Sequence, residues 1–296
     1  VHTEPEPMRR TGDTSFVLRL PRPALAGHVL AYGGYSRTWT EPTTCRMTAL
    51  GSVTLIIDID TSVTRAIDGT PAASVPSPVR GLSDQPTSYE QTGRETAVIV
   101  ELSPHGAKAL FGLPLKEIAN TDVSLHELLG PRARRLSEQL AEAGTWSERL
   151  RILDERLTTW ISDGPALATP LQGAWRQLIT SAGRARIDAV ADQIGWSRQH
   201  LNARFREQVG LPAKTIARIA RLHKAIDLAT RPNPPLWSHI AAACGYTDQS
   251  HLNRDFRALT GHNPTELITS VSQGSTYLGA WVGTRLVAPS SAPILR

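Results

Sequence analysis

The C-terminal third of the chain contains an internal repeat, and that repeat restricts the fold more than any other feature. Val190-Ala191 and Ile194-Gly195-Trp196-Ser197 return fifty positions later as Ile240-Ala241 and Cys244-Gly245-Tyr246-Thr247. One residue is then inserted. His200-Leu201-Asn202 with Phe205-Arg206 returns as His251-Leu252-Asn253 with Phe256-Arg257, and Gly210 returns as Gly261. Each copy follows the same physical logic. Ala191 or Ala241 is a small residue on a short helix, where a second helix has to approach closely. Gly195 or Gly245 supplies the positive φ of a tight turn between helices. Ser197 or Thr247 is the expected cap of the next helix. Leu201 with Phe205, and Leu252 with Phe256, anchor that helix at i and i+4 and leave its polar face free. This is helix-turn-helix grammar, written twice.

Between the copies, residues 212–230 read as one helix of 19 residues, roughly 28 Å long at 1.5 Å per residue. Successive major-groove segments on one face of B-DNA lie about 34 Å apart. A rigid connector of this length suits two recognition helices presented to adjacent grooves. Charge agrees with that reading. Residues 171–271 hold thirteen Lys/Arg against seven Asp/Glu, whereas residues 1–170 hold seventeen against twenty. A basic C-terminal part behind a mildly acidic N-terminal part is the pattern expected when one domain meets a polyanion and the other does not.

The N-terminal part has a different period. Phe16-Val17-Leu18, Val29-Leu30-Ala31-Tyr32, residues 53–59 and residues 97–102 are short apolar or β-branched runs. Gly33-Gly34, Gly51, the stretch 76–78 and Gly93 punctuate them. The spacing predicts a small antiparallel barrel or sandwich. Around Ser103 the pattern becomes helical, with Ser103 as N-cap and Pro104 as first residue of a helix over 104–111 that ends at Gly112. Segments 124–129, 131–143 and 146–162 read as amphipathic helices. Trp146, Leu150, Leu153, Leu157 and Trp160 form one face of the last, a core stripe with a dimer seam as the alternative. Residues 163–170 have linker composition.

Enzyme classes find no support in the residues. There is no G-x-S-x-G, P-loop or G-x-G-x-x-G, and no H-x-x-x-H or H-E-x-x-H pair. Two cysteines, Cys45 and Cys244, lie 199 positions apart, which excludes a disulfide scaffold or a Cys-rich zinc module and suits a reducing compartment. Cys45 is expected on a buried strand and Cys244 at a helix-packing position. His105 reads as a helix-start residue. Asp58 and Asp60, at i and i+2, share a strand face expected to meet solvent, and with Asp68 they make a poor cation site. No catalytic residue, no metal and no cofactor are expected. The longest apolar runs, Leu55-Ile56-Ile57 and Ala97-Val98-Ile99-Val100, are far too short to span a bilayer. The expected location is cytoplasmic and nucleoid-associated. Tyr32, Tyr35 and Trp39 are the candidate lining of an effector pocket, with core filling as the alternative.

Residues 187–268 resemble the DNA-binding domain of the AraC/XylS family of bacterial transcription regulators. The resemblance rests on V-A-x-x-x-G-x-S-x-x-H-L-x-x-x-F-R-x-x-x-G over 190–210 and on Arg218-Ile219-Ala220-Arg221-Leu222-His223-Lys224-Ala225. It continues through Ile240-Ala241 with Gly245-Tyr246, His251-Leu252-Asn253 with Phe256-Arg257, and the closing Gly261-His262-Asn263-Pro264. Asn263, Pro264 and Glu266 also form a helix start on local chemistry alone. More loosely, the N-terminal part is similar to β-rich regulatory domains of that family, through Gly33-Gly34-Tyr35, Gly51-Ser52-Val53-Thr54-Leu55-Ile56 and Leu102-Ser103-Pro104-His105-Gly106-Ala107.

The resemblance implies two domains. The first, 1–163, is α+β: a small antiparallel barrel or sandwich over 16–102 followed by helices over 103–163. A linker, 164–170, leads to an all-α DNA-binding domain, 171–271, in which a linker helix joins two helix-turn-helix motifs. The first recognition helix would present Arg198, Gln199, Asn202 and Arg206, with Ala203 where relatives carry longer polar side chains. The second would present Gln249, Ser250, His251, Asn253 and Arg254. Gln and Asn read adenine bidentately, and Arg reads guanine or grips phosphate. Lys214, Arg218, Arg221 and Lys224 are expected on phosphates or in solvent. Double-stranded DNA is the expected partner. RNA polymerase, a small-molecule effector and a second copy are further candidates, and no membrane is expected. The competing reading is a ligand- or partner-binding module whose helical domain docks on protein. Activation or repression is open. The tail 272–296, with Tyr277, Leu278, Trp281, Val282 and Leu286, carries no assigned role, and folding back, pairing with a partner or staying loose all remain open.

Overall fold

The computed structural model of the chain describes residues 15–61, 64–67, 75–272, 276–278 and 294–295. Two long antiparallel strands organise the N-terminal part, β2 (Val29–Met47) and β6 (Thr87–Leu102). Around them lie β1 (Ser15–Arg19), β3 (Val53–Thr61), β4 (Thr64–Ile67), β5 (Pro78–Arg80) and β7 (Asp122–Ser124). Two further two-residue strands, β8 (Thr276–Tyr277) and β9 (Ile294–Leu295), come from the tail. The order is β7-β5-β3-β6-β2-β1-β9, with β4 on β6 and β8 on β2. Among the described residues this path is open, a sandwich-like sheet rather than a closed barrel.

Gly33 and Gly34 do not end a strand. They lie inside β2, paired with Leu18 and Val17 of β1 and with Ile99 and Val98 of β6. Close approach explains them: a Cβ on Gly34 would sit 2.1 Å from the Trp146 ring, and one on Gly33 would sit 2.5 Å from the Val17 carbonyl oxygen. Gly93 likewise lies within β6, at φ 98° opposite Trp39, where the β2–β6 register shifts. It relieves a bulge.

The helices begin and end where the local chemistry places them. α1 (Pro104–Phe111) is capped by Ser103, whose hydroxyl accepts from Gly106 N, and stops at Gly112 in the left-handed region. α2 (Leu125–Leu129), α3 (Pro131–Glu142) and α4 (Trp146–Ser162) follow. Leu150, Leu153, Leu157 and Ile161 of α4 are buried, and Trp146 packs over Gly34. The α4 stripe therefore belongs to the core. At about 1.5–3 kcal/mol per large apolar side chain removed from water, its four aliphatics are a major hold on the sheet.

Two residues of the segment 163–168 are tied down: Leu167 is buried, and a Cβ on Gly164 would strike the Ala109 carbonyl of α1. Seven helices follow among the described residues. They are α5 (Thr169–Thr180), α6 (Ile187–Gln193), α7 (Arg198–Gln208), α8 (Ala213–Ala229), α9 (Trp237–Ala243), α10 (Gln249–Thr260) and α11 (Pro264–Ser272). The buried side of α8 carries Ile216, Ile219, Leu222 and Ile226 and forms the spine on which the two motifs pack.

Asp58 departs from expectation. It is buried, its Oδ2 accepts from Ser77 N at 2.6 Å, and a register shift separates it from Asp60. Asp60 alone is exposed, 3.8 Å from Arg94, and Asp68 lies outside the described residues. Cys45 is half-buried and Cys244 buried. His105 stands two residues into α1, its ring 4.1 Å from that of His28. No helix among the described residues is long and apolar enough to cross a membrane.

Candidate nucleic-acid interface

Each motif is a short helix, a glycine turn and a longer helix. In the first, Gly195 at φ 71° turns the chain from α6 to α7, and Ser197 caps α7 by accepting from His200 N at 3.1 Å. In the second, Gly245 at φ 75° turns it from α9 to α10. The cap there is Asp248 rather than Thr247, accepting from His251 N at 2.7 Å. The inserted residue precedes the cap, so the distance from cap to histidine is the same in both copies. Leu201, Phe205, Leu252 and Phe256 are fully buried, as their i,i+4 spacing requires.

The repeat extends to the rings. His200 stands edge-on to Trp196 at 4.6 Å, and His251 stands edge-on to Tyr246 at 5.2 Å. The aromatic residue after each turn glycine thus braces the histidine in the first turn of the recognition helix. Arg198, Gln199 and Arg206 on α7 and Gln249, Ser250 and Arg254 on α10 are exposed, while Asn202, His251 and Asn253 are half-buried. Asn202 Nδ2 donates to Arg198 O at 3.1 Å. In both copies the asparagine Oδ1 is shielded and lacks a hydrogen-bond partner.

The cationic residues of α8 divide into bound and free. Arg218 donates to Asp255 Oδ1 on α10 through Nε at 3.2 Å and Nη2 at 2.7 Å. Arg221 lies 5.3 Å from the Tyr246 ring centroid and donates to Gly183 O at 3.3 Å. Lys224 pairs with Asp227, which Arg231 also engages. Arg218 is thus held by a partner on α10 and Lys224 by one on its own helix, both side chains remaining partly exposed. Lys214 is exposed, with no carboxylate within ion-pair distance among the described residues.

A cleft of about 910 Å³ runs between the motifs. Its wall includes Arg198 and Asn202 of α7, His251 of α10, Lys214 of α8 and, from the turn before α6, Arg184 and Arg186. Arg186 pairs with Asp188 at 2.6 Å, which holds that carboxyl down at about 2. Arg184, Arg198 and Lys214 are left without a carboxylate partner among the described residues. The cleft therefore presents unneutralised positive charge directly between the two recognition helices. Sequence reading missed Arg184 and Arg186, which precede the repeat; the signal available was an R-x-R pair just ahead of it.

The three aromatic effector candidates do not form one wall. Tyr32 points to one face of β2, where its hydroxyl donates to Asp154 of α4. Asp154 also meets Arg22 at 3.0 Å and Arg19 at 3.4 Å. Tyr35 and Trp39 alternate onto the other face. Tyr35 Oη donates to Glu95 at 2.7 Å, and the Arg37 guanidinium lies 5.0 Å from the Trp39 ring centroid. Burial and Asp154 push the Tyr32 hydroxyl well above its ordinary pKa.

Two turn-linked helix pairs about a basic cleft define a helix-turn-helix DNA-binding protein. Residues 190–270 match a family model described as a helix-turn-helix domain, and residues 19–124 match a domain family of unknown function, DUF6597. The two matches place a helix-turn-helix domain behind a separate N-terminal domain. No curated protein sequence matches the chain significantly. Among solved structures, ToxT from Vibrio cholerae O395 is similar with a TM-score of 0.45 at 12% identity, over 80% of this chain and 96% of that one. Unsaturated fatty acid bound wild-type ToxT from Vibrio cholerae strain SCE256 gives 0.46 at 11%, over 88% and 97%. The AraC-like transcriptional activator CuxR gives 0.19 at 13%, over 59% and 66%. Resemblance at this level bears on neither ligand nor mechanism.

Proposed function

We propose that the chain reads a bipartite operator, with α7 and α10 in adjacent major grooves and the intervening phosphate backbone seated in the cleft between them. Arg198, Gln199, Asn202 and Arg206 meet the first half-site, and Gln249, Ser250, His251, Asn253 and Arg254 meet the second. Arg184 and Lys214 grip phosphate and carry no sequence information. The reading divides the chain into a regulatory part, 1–163, a connecting segment, 164–170, and a DNA-binding part, 171–271. Binding by the C-terminal part is modulated by the N-terminal part.

The observation that carries this reading is the cleft, whose wall joins residues of both recognition helices and in which Arg184, Arg198 and Lys214 have no carboxylate partner among the described residues. α8, at 17 residues, is about 25 Å long, which suits adjacent grooves. Selection from randomised duplex DNA by the full chain tests it. Enrichment of two short motifs about one helical turn apart is expected. Binding without enrichment, and only at low salt, would leave a basic surface that does not read sequence.

A further inference from the structure

The N-terminal part touches both helix-turn-helix motifs at corresponding places, the first through the loop after α1 and the second through β2. Gly210 and Gly261, the equivalent glycines of the two repeats, follow α7 and α10. A Cβ on Gly210 would lie 3.0 Å from Leu115 O and from the Ala119 methyl, both in the loop after α1. At Gly261, Arg46 of β2 reaches the carbonyl at 3.5 Å and His262 Nε2 at 3.2 Å. Between these points Ala49 N donates to Leu259 O at 2.7 Å, and buried His223 of α8 donates through Nε2 to Ala49 O at 3.3 Å. The recognition surfaces of α7 and α10 are free of these contacts.

The tail closes this arrangement. Beyond α11, β8 pairs in parallel with β2, Thr276 beside Arg46 and Tyr277 beside Met47. Thr48 N donates to Tyr277 O at 3.1 Å, Leu278 is buried, and Ser270 Oγ lies 2.8 Å from Thr276 Oγ1. Tyr277 Oη donates to Glu101 Oε1 at 2.5 Å. Glu101 is buried inside the sheet and accepts also from Ser52 Oγ at 2.5 Å and Thr54 Oγ1 at 2.7 Å. A buried carboxylate that loses a hydroxyl donor loses a charge-assisted bond with no water to replace it. Peeling the tail away is therefore opposed from inside the sheet.

We propose that Thr276, Tyr277 and Leu278 are a latch fastening the second motif to the N-terminal sheet. The N-terminal part, through β2 and the loop after α1, then spans the far ends of both recognition helices and sets their mutual placement. The consequence for DNA rests on the bipartite reading above; the latch itself does not. Control through this device changes the spacing at which the two helices read, without covering either reading face.

Amide hydrogen exchange on the full chain tests the latch without DNA, in the wild type, Tyr277→Phe and Glu101→Gln. Faster exchange at Thr48 and Ala49, by about tenfold or more, with β3 amides unchanged, is the expected result. Unchanged exchange at Thr48 and Ala49 overturns the latch. So does equal acceleration at Thr48 and throughout β3, because Tyr277 is then an ordinary core residue.

The same variants are then measured on selected operators carrying the enriched spacing or one extra base pair. The wild type is expected to prefer one spacing by about tenfold, and the variants by about threefold or less. An undiminished preference in variants that do exchange faster overturns the spanning role. If the wild type selects no operator, the bipartite reading fails, and exchange alone decides the latch.

Discussion

Arg218 of the linker helix donates two N–H groups to a single carboxylate oxygen of Asp255 on the second recognition helix. Asp255 is buried, whereas the Arg218 side chain is 35% exposed. This ion pair joins α8, the connector between the motifs, to α10 of the second motif. Losing the guanidinium strands a buried carboxylate. Such losses cost about 3–5 kcal/mol when fully buried, less where solvent reaches one partner. Arg218→Ala is expected to destabilise the chain by about 2–3 kcal/mol in urea unfolding. A change below about 0.5 kcal/mol, typical of surface sites, would mean that the pair is decorative.

His223 makes stability depend on pH. Burial lowers its pKa from 6.5 to about 4, with the Ala49 carbonyl opposing the shift. The unfolded chain takes up a proton below about pH 6.5 that the folded chain refuses until about pH 4. Stability from this group is thus complete above pH 6.5 and falls as pH drops through that window, by up to about 3 kcal/mol. Comparison of His223→Asn with the wild type across pH 4–7 isolates it from titrating carboxylates. A difference between the two that is flat with pH would refute the assignment.

Arg184→Ala and Lys214→Ala are each expected to lower the slope of log affinity against log salt by about 0.9. They should weaken binding equally on cognate and unrelated duplexes. Anisotropy titrations between about 50 and 200 mM salt read both quantities. Loss confined to one sequence would move these residues from phosphate to base.

Gln199→Ala and Arg254→Ala should behave oppositely. Each is expected to lose about 1–3 kcal/mol at particular base pairs and to relax selection there. Uniform weakening across sequences would make them backbone contacts.

Legibility followed the range of the forces involved. The bounds of α1 and the start of α7 were readable because caps and turn glycines act over three or four residues, as at Ser103, Gly112, Ser197 and Gly195. The same locality misled at Thr247: adjacent Thr247 and Asp248 both offer a capping oxygen, and only the spacing to His251 separates them. Gly33-Gly34 read as punctuation because the Trp146 ring that demands a bare backbone comes from more than a hundred residues away. Asp154 on α4 and Glu101 near the end of β6 carry no local signal that sets them apart. Their partners Tyr32 and Tyr277 are distant in sequence, so their roles had to wait for the fold. Likewise, Lys224 has Asp227 three residues on in its own helix, but only the fold shows that Arg218 pairs with Asp255 while Lys214 and Arg184 have no carboxylate partner among the described residues.

The central claim is that two recognition helices, held on one rigid connector, read one face of a duplex. It is tested most directly by inserting about five base pairs, half a helical turn, between the two selected half-sites. One motif would then face away from its half-site. Affinity of the full chain is expected to fall about 100-fold or more, because the base contacts of a whole helix are lost. An affinity within about threefold of the original operator would mean that one motif binds alone, and the bipartite account would be wrong.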